Sequence, residues 1–197
     1  MTLLLLDLDG VVRQFGPDAP IEDAHGLPRG TLAQVAFSLA TPALLGEVPD
    51  ESWRAAIRAA LATRIGPTAA TSAVHAWTRP GRVIPEALPL IREARTRSTV
   101  GLLSNATTKS FNDLTLLNLT AEFDAIVLSC ELGAIKPTPE AYLKTLDLLG
   151  FAPQDTVFCD DNADNAAGAR AVGMDGVHTP NPAALRAALR ERGLVVD

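Results

Sequence analysis

Leu3-Leu4-Leu5-Leu6-Asp7-Leu8-Asp9-Gly10-Val11-Val12 is the stretch whose reading decides the fold. Four leucines run straight into Asp-Leu-Asp-Gly. A short continuous apolar run ended by a turn signal reads as a strand buried on both faces. Two carboxylates then stand two residues apart, where that strand ends. In a regular strand both side chains would point to one side, and Gly10 marks a turn. Paired carboxylates repel, so placing them together at the edge of an apolar core costs free energy unless a cation holds them. A strand followed by a polar turn is the plainer reading, and the rest of the chain decides between the two.

Outward from this stretch, Arg13 to Pro20 is rich in turn residues and reads as a loop or short hairpin. Residues 21–80 then change character, being rich in Ala, Leu and Arg and poor in β-branched runs. From Asp50 to Leu61 the pattern is helical, with Asp50 as a capping residue and Trp53, Ile57 and Leu61 on one face. Arg54 and Arg58 form a neighbouring stripe that reads as solvated. Thr31 to Leu45 and Ala69 to Trp77 are expected to be helical too. This all-helical block looks inserted.

The α/β rhythm resumes at Pro85. A helix from near Glu86 to near Arg97 tolerates Pro89 only in its first turn, where N–H groups lack intrahelical partners. Thr99 to Leu103 is a buried strand stopped by Ser104-Asn105, and a helix covers roughly Lys109 to Leu119. Phe123 to Leu128 is the third strand. Pro139 and Gly150 bracket the next helix. Thr156 to Cys159 is the fourth strand, ending in Asp160-Asp161, and a helix from about Asn165 to Val172 follows. Gly176 to His178 is the fifth strand. A terminal helix starts at Asn181-Pro182 and stops at Gly193.

Strands alternating with helices argue for a parallel sheet with right-handed crossovers. In such sheets ligands sit outside the carboxyl ends of the strands. The polar clusters fall at those ends: Asp7 and Asp9 after the first strand, Ser104 and Asn105 after the second, Asp160 and Asp161 after the fourth. One cluster is explicable as turn chemistry. Three at the same edge converge on one site.

Composition narrows the class. A chain of 197 residues with 47% hydrophobic and 20% charged residues suits one globular core with a modest insertion. A net charge of −6 disfavours a nucleic-acid partner. No apolar run approaches a membrane span, and Asp7 interrupts any signal-like segment. Cys130 and Cys159 fit no disulfide framework and read as buried thiols, so a reduced cytoplasm is the expected location.

Carboxylates from two strand ends make a hard oxygen site suited to Mg²⁺, which usually works with phosphate oxygens. Lys136, in Gly133-Ala134-Ile135-Lys136-Pro137, lies at the same edge and offers a fixed positive charge. Ser104 and Asn105 precede a helix, so a hydroxyl and nearby N–H groups can hold a phosphate. A carboxylate nucleophile makes an acyl-phosphate and splits displacement into two steps. A second carboxylate two residues away can protonate the leaving group and then activate water.

These residues resemble those of the haloacid dehalogenase-like hydrolases. Leu6 to Val12 looks like that family's first motif, Leu103-Ser104-Asn105 its second, Lys136-Pro137 its third and Asp160-Asp161 its fourth. The order is correct and spans the chain. The resemblance implies a Rossmann-like three-layer α/β core, with a central parallel sheet in the order 5-4-1-2-3. It implies a small helical cap after strand 1: core residues 1–14 and 81–197, cap residues 15–80. Asp7 is then the nucleophile that becomes an aspartyl-phosphate, and Asp9 the general acid/base. Ser104 and Asn105 bind the phosphoryl group, with Lys136 stabilising charge near Asp7. Mg²⁺ is held by the Asp7 side chain, the Asp9 main-chain carbonyl and Asp161, and Asp160 supports the metal through its waters.

The run Asp155 to Asn165 is similar to the α-glucose-1-phosphatase-like branch and to the N-terminal phosphatase domain of soluble epoxide hydrolases. Many family members have Gly-Asp in place of Asp160-Asp161, and a later Asp in place of Asn165. Asn165 cannot carry that charge and is expected to orient a neighbour of the metal.

The resulting expectation is a Mg²⁺-dependent phosphatase acting on a small phosphorylated metabolite, such as a sugar phosphate. A dehalogenase needs only the nucleophile and usually lacks an acid at the Asp9 position. A phosphomutase uses the same acids and differs in how the cap excludes water. A non-catalytic phospho-metabolite binder would not need Asp7, Asp9, Lys136 and Asp161 intact. A receiver-type phosphoacceptor would carry its acid pair after the first strand and its phosphoacceptor after a later one, whereas the metal pair here follows the fourth strand, and it would leave the insertion unexplained. His25, His75 and His178 lack metal-ligand spacing and read as structural or solvated. Trp53 reads as cap packing and Trp77 as a candidate wall of the site entrance. Arg13, Arg79 and Arg82 flank the hinges and read as surface charges.

Overall fold

The computed structural model describes residues 2–196. β1 (Leu3–Leu6) leads into β2 (Arg13–Gln14). Five helices follow: α1 (Ala19–Ala24), α2 (Thr31–Ser38), α3 (Thr41–Leu44), α4 (Asp50–Ile65) and α5 (Pro67–Trp77). β3 (Arg82–Val83) returns the chain, and α6 (Ala87–Ala94), β4 (Thr99–Ser104), α7 (Ser110–Leu116) and β5 (Ala125–Leu128) come next. After α8 (Ser129–Leu132) and α9 (Pro139–Leu149) the chain forms β6 (Thr156–Asp160), α10 (Ala163–Ala171), β7 (Asp175–His178) and α11 (Pro182–Glu191).

The main sheet is ordered β5-β4-β1-β6-β7, and every neighbouring pair is parallel. Counting its strands along the chain, this is the expected order 5-4-1-2-3. β1 is central because its leucines satisfy both faces. Leu4 and Leu6 pack with Val100, Leu102, Val157 and Cys159 into one apolar cluster that includes α6 and α11. Leu3 and Leu5 pack with Leu103, Phe158 and Tyr142 into the opposite cluster, under α9 and α10. Fully burying each leucine contributes about 1.5–3 kcal/mol, and the two-residue period divides that gain between the faces.

The helices between β2 and β3 enclose their own apolar cluster, built from Leu27, Leu32, Val35, Ile57, Leu61 and Val74. Trp53 and Trp77 meet edge-on, with ring centroids 5.8 Å apart. Trp77 donates its indole N–H to Asp18 at 3.0 Å. It is a packing residue of the helical block. The expected single helix from Thr31 to Leu45 is two, because Pro42 in the first turn of α3 has no N–H to continue α2. Asp50 is not a cap: Pro49 holds that position and Asp50 is the first helical residue.

The Asp50 carboxylate points away from its own helix end. Its Oδ1 accepts from the Thr107 hydroxyl at 2.6 Å, while its amide donates to the Thr108 hydroxyl at 3.0 Å. Arg54 Nε lies 2.5 Å from the other carboxylate oxygen without aiming its N–H at it, so this contact is an ion pair and not a hydrogen bond. Nearby, Ser129 donates to the Leu44 carbonyl at 2.7 Å and accepts from the Ala106 amide at 2.9 Å. Gly46, with φ +75°, lies so close to the Cys130 carbonyl that a Cβ would approach it to 2.0 Å. Residues 44–50 of the helical block are thus fastened to the loop after β4 and to α8 after β5.

Three elements are shorter than expected. α6 ends at Ala94, short of Arg97. β5 starts at Ala125, because Asp124 turns its carboxylate onto the Val100 amide. α7 runs only from Ser110 to Leu116. Among the described residues no helix is long and apolar enough to cross a membrane.

Candidate active site

The carboxyl ends of β1, β4 and β6 bring their polar residues to one place. Asp7 directly follows β1, Ser104 ends β4 and Asp160 ends β6. Lys136 reaches the same point from the connection between α8 and α9 and is itself buried. Its Nζ donates to Asp7 Oδ1 at 2.7 Å, Asp160 Oδ2 at 2.7 Å and the Leu103 carbonyl at 2.9 Å. All three donor hydrogens of the ammonium are thereby used.

Asp160 is fully buried. Its other oxygen accepts the Asn162 amide at 2.8 Å, and the Asn165 side-chain amide straddles both oxygens at 3.0–3.1 Å. Asn165 is held in turn where Tyr142 donates to its carbonyl at 2.7 Å. Asp161 is the exposed member of the group. Asp7, Asp160 and Asp161 each place a carboxylate oxygen within 4.8 Å of the others. Gly10, at φ +83°, makes this possible: a Cβ there would lie 2.0 Å from Asp161 Oδ2.

Burial pushes the Asp7 carboxyl up to about 7, with Lys136 opposing that shift and Asp160 reinforcing it. Burial works against the Lys136 charge, but Asp7 and Asp160 outweigh it and raise that group above its usual range. Asp161 is also raised, first by partial burial and then by Asp160. Three carboxylates face one ammonium, so negative charge is in excess. Hard oxygen donors in that balance fit a divalent cation such as Mg²⁺.

The remaining expected residues have partners that the sequence did not show. The Asp9 side chain lies outside the three-carboxylate group. It forms a two-point pair with Arg13, Nε to Oδ1 at 2.7 Å and Nη2 to Oδ2 at 3.0 Å. Arg13 is therefore no surface charge, and its side chain is only 5% exposed. Sequence reasoning missed this residue. The available signal was its position four residues beyond Asp9 in a turn. There the Gly10 amide donates to the Arg13 carbonyl, and the Arg13 amide to the Leu8 carbonyl, each at 2.7 Å.

Ser104 is buried, and its hydroxyl makes no hydrogen bond among the described residues. Asn105 uses its amide oxygen and nitrogen on the Lys136 main chain, accepting from N–H at 2.8 Å and donating to the carbonyl at 2.9 Å. It fixes the backbone that carries the lysine. Residues 106–109 separate Asn105 from α7, which starts within one residue of the expected Lys109. His178, expected to be structural or solvated, has Nε2 2.9 Å from the Asp161 carbonyl.

Comparison with known proteins agrees with this arrangement. The family model for haloacid dehalogenase-like hydrolases matches residues 1–173. Mouse bifunctional epoxide hydrolase 2 is 40% identical over 76 residues, 39% of this chain and 13% of that protein. A phosphatase of Mycobacterium tuberculosis is 39% identical over 94 residues, 46% of this chain and 43% of that protein. The chain thus spans less than half the length of either relative. A haloacid dehalogenase family enzyme from Bacteroides thetaiotaomicron, solved with magnesium and inorganic phosphate, superposes with a TM-score of 0.71. That match covers 88% of this chain and 91% of the other at 20% identity. L-2-haloacid dehalogenases share the fold at 21–22% identity. With its motifs gathered at one sheet edge and the family model spanning most of its length, the chain belongs to the haloacid dehalogenase-like hydrolases.

Proposed function

We propose that the protein is a Mg²⁺-dependent phosphomonoesterase of a small phosphorylated metabolite, working through an aspartyl-phosphate on Asp7. The observation that carries this reading is the Asp7–Lys136–Asp160 arrangement with Asp161 beside it. Lys136 holds Asp7 Oδ1, which leaves Oδ2 without a hydrogen bond and available to attack phosphorus. As the Asp7 oxygen bonds to phosphorus, the ester P–O bond breaks and Asp9 gives its proton to the departing alcohol oxygen. Asp9 then takes a proton from the water that attacks the acyl-phosphate, and this releases inorganic phosphate and restores Asp7. The unpaired Ser104 hydroxyl is a donor for a phosphoryl oxygen. Asn105 acts by keeping Lys136 in place.

Asp7, the Asp9 main-chain carbonyl and Asp161 would hold the metal, and Asp160 with Asn165 behind it would steady the group. Bound Mg²⁺ supplies positive charge against the phosphoryl oxygens. The helical block of residues 15–80 acts as a cap that excludes water and selects the substrate. Asp9 favours phosphoryl transfer over dehalogenation, because an alkyl halide releases a halide that needs no proton.

The test is phosphate release from an aryl phosphate and a metabolite panel, with Mg²⁺ and with chelator, for wild type and Asp7→Asn. Turnover that requires Mg²⁺ and is lost in Asp7→Asn, with an unchanged circular dichroism spectrum, supports the reading. No release by wild type, together with normal binding of a phosphorylated compound by Asp7→Asn, would replace it with a binding function.

A further inference from the structure

We propose that Arg13 is the positioning residue for Asp9, a guanidinium pivot that controls delivery of the proton to the leaving group. This rests on the phosphatase reading above. The guanidinium takes both Asp9 oxygens, at 2.7 and 3.0 Å. Its side chain is 5% exposed, whereas that of Asp9 is 42% exposed. The buried partner is therefore the fixed one and the carboxylate the movable one. Its other neighbours are weaker. Asp113 is 3.8 Å away and already pairs with Lys109, the Pro80 carbonyl is 3.4 Å away, and the Phe15 ring centroid is 4.7 Å from the guanidinium carbon.

Arg13 also stands where both connections to the helical block leave the core. It pairs with Val83 in the two-stranded ribbon, and Pro80 lies on the returning connection. While both Asp9 oxygens are engaged, neither can meet the leaving oxygen of a substrate. The planar fork of an arginine lets the oxygen that carries the proton in the acid form swing out while the other stays bound. Asp9 then turns about one retained contact instead of rotating freely. A lysine offers only a point charge and cannot keep that geometry.

The experiment compares kcat/KM for an alkyl phosphate and for nitrophenyl phosphate in wild type, Arg13→Met, Arg13→Lys, Asp9→Asn and the double variant Arg13→Met/Asp9→Asn. This parameter covers steps through formation of the aspartyl-phosphate. Nitrophenolate departs without a proton and an alkoxide does not. General acid catalysis contributes about 10²–10⁴-fold. Arg13→Met should therefore lower the alkyl value about tenfold more than the aryl value, with Arg13→Lys between it and wild type. The double variant should lose no more alkyl selectivity than Asp9→Asn alone.

Equal losses on both esters, or additive losses in the double variant, would overturn the assignment and leave Arg13 a structural residue. If Arg13→Met does not fold, Arg13→Lys decides by the same ratio. Wild type inactive on both esters and on the metabolite panel would refute the phosphatase reading, and the pivot falls with it. Wild type active on both with an unchanged ratio in the variants would refute the pivot alone.

Discussion

Replacing Lys136 with Met should be the most informative single change. Met matches the length of the lysine stem but removes the charge from between Asp7 and Asp160. Three hydrogen bonds disappear, at 2.7, 2.7 and 2.9 Å. Asp160 keeps the Asn162 amide and the Asn165 side chain, whereas Asp7 keeps no side-chain partner. Breaking a buried charge pair by deleting one partner typically costs about 3–5 kcal/mol, because the surviving charge stays desolvated. For a domain of this size that is a large share of the roughly 5–15 kcal/mol of total stability. With a urea slope of about 2 kcal/mol per molar, the midpoint should fall by roughly 2 M. The assay is urea unfolding followed by circular dichroism, first with chelator and then with excess Mg²⁺. The cation should recover more stability in Lys136→Met than in wild type, because it supplies charge that wild type already has. Coincident midpoints in the metal-free proteins would refute the claim that Lys136 compensates these carboxylates. Equal gains from Mg²⁺ would refute the claim that lysine and metal act on the same charge.

Two further outcomes follow from the same contacts. Asp7 has a folded value of about 7 against an ordinary 3.8. A carboxyl raised on folding contributes its full stability below the ordinary value and loses it as pH climbs through the folded value. Metal-free wild type should therefore lose stability relative to Asp7→Asn as pH rises from 3.8 to about 7, and parallel urea-midpoint profiles would contradict this. Asp50→Ala strands the Thr107 hydroxyl and Arg54, and a hydrogen bond to a charged group contributes about 1.5–3 kcal/mol. It should destabilise by about that amount, with Asp50→Asn costing less, and a thermal melt in which both match wild type would contradict it.

The first strand was legible because four leucines ending in Asp-Leu-Asp-Gly leave few alternatives. Alternate leucines feed opposite clusters, and this is the two-faced burial that a central parallel strand requires. The placement of Asp7, Ser104 and Asp160 at one edge was legible for a related reason: in parallel sheets every strand ends on the same side. Helix limits were less legible. Pro42 and Asp124 intervene through local chemistry that apolar periodicity does not register.

The sequence by itself therefore determined the buried first strand, the edge and the residue types that meet there, while the strand order came from the family resemblance. Only the tertiary structure decided which side chain holds which. Asn105 reads in the sequence only as a phosphate ligand, but its side chain also holds the main chain of Lys136, 31 residues away. Asp50 could have capped its helix, but it reaches Thr107, 57 residues away. Arg13 could have been solvated, but a turn folds it onto Asp9. Burial is encoded in periodicity along the chain, whereas hydrogen-bond partners depend on strand register and loop path. A shift of a few ångströms in either would give each of these polar groups a different partner.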